Sequence, residues 1–138
     1  MESILTSIKK LLGITEEDTN FDADIIMHIN TVFMILNQLG VGPKKCFTIE
    51  DDVATWSDFV PRNLDIEAIK TYMFLKVKLV FDPPASSTVV QCMNQSISEL
   101  EWRLHMVAES NKDKEKGGNS KWIIQFIRMN SNIMEYEE

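Results

Sequence analysis

The sequence predicts an all-α protein: a small bundle of about four helices, with a long loop between helices two and three and a C-terminal extension. Three observations predict it. Apolar residues recur at three- and four-residue spacing through four segments. Gly13, Gly40-Val41-Gly42-Pro43 and Pro83-Pro84 stand at the ends of those segments rather than inside them. The 138 residues are 44% apolar, enough for one domain to bury a core without a metal or disulfide staple.

Helix one is predicted from about Ser3 to Leu12. Ile4, Leu5, Ile8, Leu11 and Leu12 share one face, and Gly13 suits a left-handed cap. The acidic loop Glu16-Glu17-Asp18 follows. Helix two is predicted from about Ala23 to Leu39, with Asp22 as N-cap and Phe21 stapling onto Ile26. Its core stripe is Ile25, Ile26, Ile29, Val32, Phe33 and Leu36.

Residues 44–63 read as a long connection, with a short helical turn expected over Thr48-Ile49-Glu50-Asp51-Asp52. Trp56 and Phe59 are expected to pin this loop to the bundle. Long loops in compact domains are uncommon and often mark function. Helix three is predicted from about Asp65 to Phe81. Ile66, Ile69, Met73, Val77 and Val80 share a face, and Tyr72, Phe74, Leu75, Leu79 and Phe81 spread over most of the rest. A helix apolar on nearly all sides belongs at the centre of a bundle. Helix four follows Ser86-Ser87 and is predicted to end near Glu109. Val90, Met93, Ile97, Leu100, Leu104 and Val107 give it a narrow seam suited to antiparallel packing.

The composition divides the chain into a helical domain over 1–109, a flexible polar linker over 110–121 and an apolar docking segment over 122–138. In the last segment Trp122, Ile124 and Phe126 alternate like a strand, whereas Trp122, Ile123, Phe126 and Ile127 suit a helix. Periodicity leaves both open.

The whole chain carries a net charge of −7, and all of it lies in residues 1–109. Such a domain repels phosphate backbones and anionic bilayers on average, which leaves protein partners or a small-ligand site. No apolar run approaches the ~20 residues that span a membrane. Met1–Leu5 lacks the basic flank and long apolar core of a secretory signal, so a reducing cytoplasm is expected. Cys46 and Cys92 have no paired spacing and read as buried, inert thiols.

Catalytic chemistry has little support. Glu101, His105 and Glu109 form a carboxylate–imidazole ladder at i±4, which on an exposed helix reads as a solvated charge pattern. Asp18, Asn20 and Asp22 mimic the start of a calcium loop, but Ala23 and Ile29 stand where Gly and Glu are required. No phosphate loop, nucleophile elbow or nucleophile–base pair suggests itself. The chain is therefore read as a non-enzyme, with no catalytic, cofactor-binding or metal-binding residues and no cofactor.

What stands out is apolar surface away from the predicted core. Trp102 and Met106 point almost opposite the seam of helix four, and Met27 and Met34 share a face of helix two away from its stripe. One bundle has one core. These four side chains are exposed, covered by the tail or buried against another subunit. Trp and Met are enriched at interfaces, so they are the candidate oligomer-interface residues.

Several strings then resemble a known family. They are Ser7-Ile8-Lys9-Lys10-Leu11-Leu12-Gly13-Ile14, Ile35-Leu36-Asn37-Gln38-Leu39-Gly40-Val41-Gly42-Pro43 and Trp56-Ser57-Asp58-Phe59. Leu75-Lys76-Val77-Lys78-Leu79-Val80-Phe81-Asp82-Pro83-Pro84, followed by Ser86-Ser87 and Glu99-Leu100-Glu101-Trp102-Arg103, completes the set. In this order and spacing they look like the head-tail connector (adaptor) proteins of tailed bacteriophages and prophages, over about residues 3–109.

The resemblance implies a virion structural protein in the phage neck, present in host cytoplasm during assembly. It implies a homo-oligomeric ring, typically dodecameric, that joins the capsid portal protein to a stopper or tail-completion protein. DNA would pass through the lumen as cargo, without sequence-specific binding and without a membrane. On that reading Glu50, Asp51, Asp52 and Asp58 are candidate lumen-facing acids. Trp122, Ile123, Phe126 and Ile127 are candidate partner-docking residues on the C-terminal arm. The alternative is a small helical regulatory or scaffold module that binds one protein through its C-terminal segment.

Overall fold

The computed structural model describes residues 2–60 and 65–115, which form five helices. They are α1 (Ile4–Leu11), α2 (Asp22–Gln38), α3 (Trp56–Phe59), α4 (Ile66–Phe81) and α5 (Ser87–Glu115). Four of these are the helices that the periodicity predicts, and α3 is a single turn inside the long loop. The protein is all-α: among the described residues the only β pairing is an isolated bridge between Ser3 and Thr55.

α1 starts where Ser3 Oγ accepts from Thr6 N at 3.3 Å. It stops where Gly13, at φ +82°, lets Ile14 N reach the Lys9 carbonyl at 2.9 Å. Ile4, Leu5 and Ile8 are buried. Leu11, predicted on the same face, is half exposed. It sits in the last turn, in a shallow groove beside Lys70 and Phe74 of α4.

Lys9 is only 3% exposed, with Nζ 2.9 Å from Asp22 Oδ1 and donating to the Glu16 carbonyl at 3.1 Å. This contact moves the start of α2. Asp22, expected as N-cap, is the first helical residue and turns its carboxylate to α1, while Phe21 occupies the cap position. The Phe21 ring meets Phe81 of α4 edge-on, 5.6 Å between centroids. The start of α2 thus lies beside the end of α4, and the two run antiparallel. Ile25, Ile29, Val32, Phe33 and Leu36 are buried as predicted, and Ile26 is partly buried.

α4 is the central helix, packing against α1, α2 and α5. Ile69, Tyr72, Met73 and Val77 are fully buried, with Phe74, Leu75, Leu79 and Phe81 packed against them. Val80, expected on the core face, is exposed. It lies in the last turn, where the bundle narrows: of Ser87–Ser96 at the start of α5, only Val90 and Met93 are half-buried.

The seam of α5 begins as predicted, with Ile97 and Leu104 buried, but it ends on Ala108 rather than Val107, which is half exposed. A straight helix of 3.6 residues per turn drifts about 20° per heptad against a 3.5-residue pattern, so the contact line moves to the next residue. α5 also continues to Glu115, through residues that composition assigns to the linker. Lys and Glu propagate an existing helix at little cost, and the first strong breakers are Gly117-Gly118.

The long loop is anchored at three points. Asn30 of α2 clamps Ile49, donating from Nδ2 to its carbonyl at 2.9 Å and accepting from its N–H at 2.8 Å. Phe47 and Phe59 stack around Phe33, with centroids 5.1 and 4.8 Å away. Trp56 and Phe59 are buried and hold the loop to the bundle, as expected. The turn expected over Thr48–Asp52 is not helical. The helical turn comes later, at α3, where Thr55 and Asp58 form a capping box. Cys46 and Cys92, expected to be buried, are both exposed.

Candidate assembly surfaces

Met27 and Met34 lie two turns apart on the outer face of α2, 57% and 48% exposed. Between them Thr31 Oγ1 donates to the Met27 carbonyl at 3.0 Å. The hydroxyl is satisfied within the helix, and the face between the two thioethers presents no unpaired side-chain donor at that position. Unbranched, polarisable Met side chains adapt to irregular partner surfaces.

Trp102 and Met106 occupy a second face, on α5, and both are half-buried. Beside them runs an open groove of about 470 Å³, walled by Leu100, Leu104 and Val107 of α5 and by Ala68 at the start of α4. The structure therefore keeps the two candidate interface pairs on different helices.

Glu50, Asp51 and Asp52 are exposed in the loop beside Val53, which is 75% exposed. Asp51 Oδ1 accepts from Val53 N at 3.0 Å, which fixes the bend. Asp58 is exposed but engaged: its Oδ2 accepts from Thr55 N at 2.8 Å as the return half of the capping box. Trp122, Ile123, Phe126 and Ile127 lie outside the described residues.

The ladder on α5 is dispersed into packing roles. Glu101 Oε1 accepts from Tyr72 Oη at 2.8 Å and lies 3.9 Å from Lys76 Nζ. Burial, then the hydrogen bond to Glu101 and its negative charge, hold the Tyr72 phenol well above its ordinary pKa. His105 Nδ1 lies 3.1 Å from the Leu39 carbonyl at the end of α2, so that nitrogen carries the proton. Glu109 pairs with Lys112 at 3.3 Å. Among the described residues, no group of three or more His, Cys, Asp or Glu side chains is placed to hold a metal ion. No described helix is long and apolar enough to cross a membrane.

Sequence reasoning misses the exposed first turns of α5 and the outward Val80 and Val53. Val53 carried a signal, being an apolar residue closing an acidic run. The other two carried none, because both fit the core periodicity.

The fold and its surfaces define a small all-α bundle with apolar side chains on the outer face of α2 and along a groove on α5. The chain belongs to the phage connector protein family, whose model matches residues 4–111. The match covers α1 through most of α5, and it gives the chain a connector-type structural role as a component of the virion. No curated protein and no solved structure matches the chain.

Proposed function

We propose that this chain is a ring-forming adaptor between the capsid portal and the tail or stopper, with DNA passing through its lumen. The observation that carries the reading is the connector family match over residues 4–111. A ring subunit makes head-to-tail contacts, so it needs two different lateral surfaces. The Met27–Met34 face of α2 and the Trp102–Met106 face of α5 are the two surfaces proposed. Their placement on separate helices supports the assignment.

The acidic loop suits the wall of a conduit. Phosphates repelled from a wall slide, whereas phosphates paired with Lys or Arg are retained. Glu50, Asp51 and Asp52 are free to face a lumen, and Asp58 adds its charge while it caps α3.

The test mixes the full chain with the portal complex encoded beside it and examines the product by electron microscopy and native mass spectrometry. Closed rings on the portal, absent from the chain alone, are the expected product. A mixture in which the chain remains monomeric over a range of salt concentrations overturns the reading.

A further inference from the structure

The groove on α5 is walled by Leu100 and Val107, with Ala68 from the start of α4, and Met106 also lines it. His105 marks the flank of α5 turned to α2, where it meets the Leu39 carbonyl. At about 100° per residue, Leu100 and Val107 stand about 140° and 160° around the helix from His105. The groove therefore opens on the flank turned away from α2. On α2 itself, Met27 and Met34 are exposed, while Ile25, Ile29, Val32, Phe33 and Leu36 are buried on the inner side. The α2 face and the groove thus point out of opposite sides of the bundle, and one subunit cannot join its own pair.

We propose that the groove of one copy receives the Met27–Met34 face of the next, an inference that rests on the ring reading and names the contact within it. Charge supports this occupant. From Ile25 to Pro43 the sequence holds no Asp, Glu, Lys or Arg, in a chain that is 25% charged. A subunit of net charge −7 meets its own copy at least cost through such a face, and its entry into an apolar groove buries no ion. The charge at the edge of the face, exposed Asp24, is opposite in sign to Arg103, an exposed cation of the groove held by Glu99 at 2.7 Å. Asp65, the other charge lining the groove, is engaged as the N-cap of α4, accepting from Ala68 N.

Spacing supports it as well. Met27 and Met34 are seven residues apart, as are Leu100 and Val107, about 10 Å along each axis. Matched repeats let the side chains of one helix seat between those of another. The placement of the two faces completes the argument. Different faces on opposite sides give a head-to-tail contact that repeats from copy to copy, whereas a face that meets itself stops at a dimer.

The experiment assembles the full chain on the portal complex, with Cys46 and Cys92 replaced by Ser. Met27→Cys or Met34→Cys is combined with Leu100→Cys or Val107→Cys, and the rings are checked by electron microscopy before mild oxidation. In at least one combination a ladder of disulfide-linked chains is expected, with none from either cysteine alone. Linkage from Met27→Cys or Met34→Cys alone would show the α2 face meeting itself and overturn the proposal. Closed rings without linkage in any combination would overturn it too, while the ring reading stands. No ring from the native chain overturns the ring reading, and this contact with it.

The native chain provides a second readout, free of substitutions. Peroxide oxidation of Met27, Met34 and Met106, followed by mass spectrometry, should slow several-fold in assembled rings relative to the free chain. Protection of the two α2 methionines without Met106, or of Met106 without them, overturns the proposal.

Discussion

Trp56 Nε1 donates to Ser7 Oγ at 2.8 Å, joining residues 49 apart in sequence inside the core. The same hydroxyl donates to the Ile4 carbonyl at 2.9 Å, so Ser7 both accepts and donates while almost fully buried. This one oxygen connects the end of the long loop to the first helix. Ser7→Ala leaves the indole N–H buried without its partner, which costs about 1–3 kcal/mol. Urea denaturation should show that loss. Trp56→Ala should cost more, about 3–5 kcal/mol, because it also opens a cavity.

Gly42 and Gly13 make a controlled comparison. Both have positive φ, +95° and +82°. A Cβ on Gly42 would lie 2.4 Å from Cε2 of the buried Phe59, whereas one on Gly13 meets nothing within 4 Å. Gly13→Ala should therefore cost only the left-handed backbone term, about 1–2 kcal/mol. Gly42→Ala adds overpacking against Phe59 and should total about 2–5 kcal/mol. Equal losses in the two variants would refute the steric part of the argument.

Tyr72 gives the fold an alkaline limit. Its phenol is neutral when protonated, and the fold raises its pKa through burial and through Glu101. The unfolded chain then releases this proton more readily than the native one. The stability contributed by the protonated phenol is fully present below the ordinary tyrosine pKa, about 10. It is lost progressively as pH rises from there through the raised native value. The denaturation midpoint should fall between pH 9 and pH 11 by more in the native protein than in Tyr72→Phe.

Much of the bundle is legible from periodicity because burial repeats at the helical period in α1, α2, α4 and α5. The departures have physical causes. Val107 yields to Ala108 because the pattern and a straight helix do not share one period. Leu11 and Val80 fit the right face but sit in last turns, beyond full cover. The polar contacts that position the loop, Asn30 with Ile49 and Trp56 with Ser7, span 19 and 49 residues and leave no local signal. For the assembly surfaces, helical projection separates Met27, Met34, Trp102 and Met106 from the core line. It does not report that Met27 and Met34 are open while Trp102 and Met106 are half-buried. That difference depends on what lies over each face.

The Met27–Met34 face is where packing and assembly separate most cleanly. Both side chains are about half exposed, outside the buried set of α2, so their removal creates no cavity. Met27→Ser with Met34→Ser should change monomer stability by no more than about 0.5 kcal/mol per site, the usual range for surface positions. The same change removes two apolar side chains from the proposed lateral contact, and clustered apolar anchors carry most of the energy of an interface. The double variant should melt like the native chain and give no closed ring with the portal complex. Val53→Ser, on the exposed loop tip, serves as the control for loss of an exposed apolar side chain elsewhere. If the double variant assembles as the native chain does, the α2 face is not a ring contact, and the lateral surface must be sought instead along the open first turns of α5.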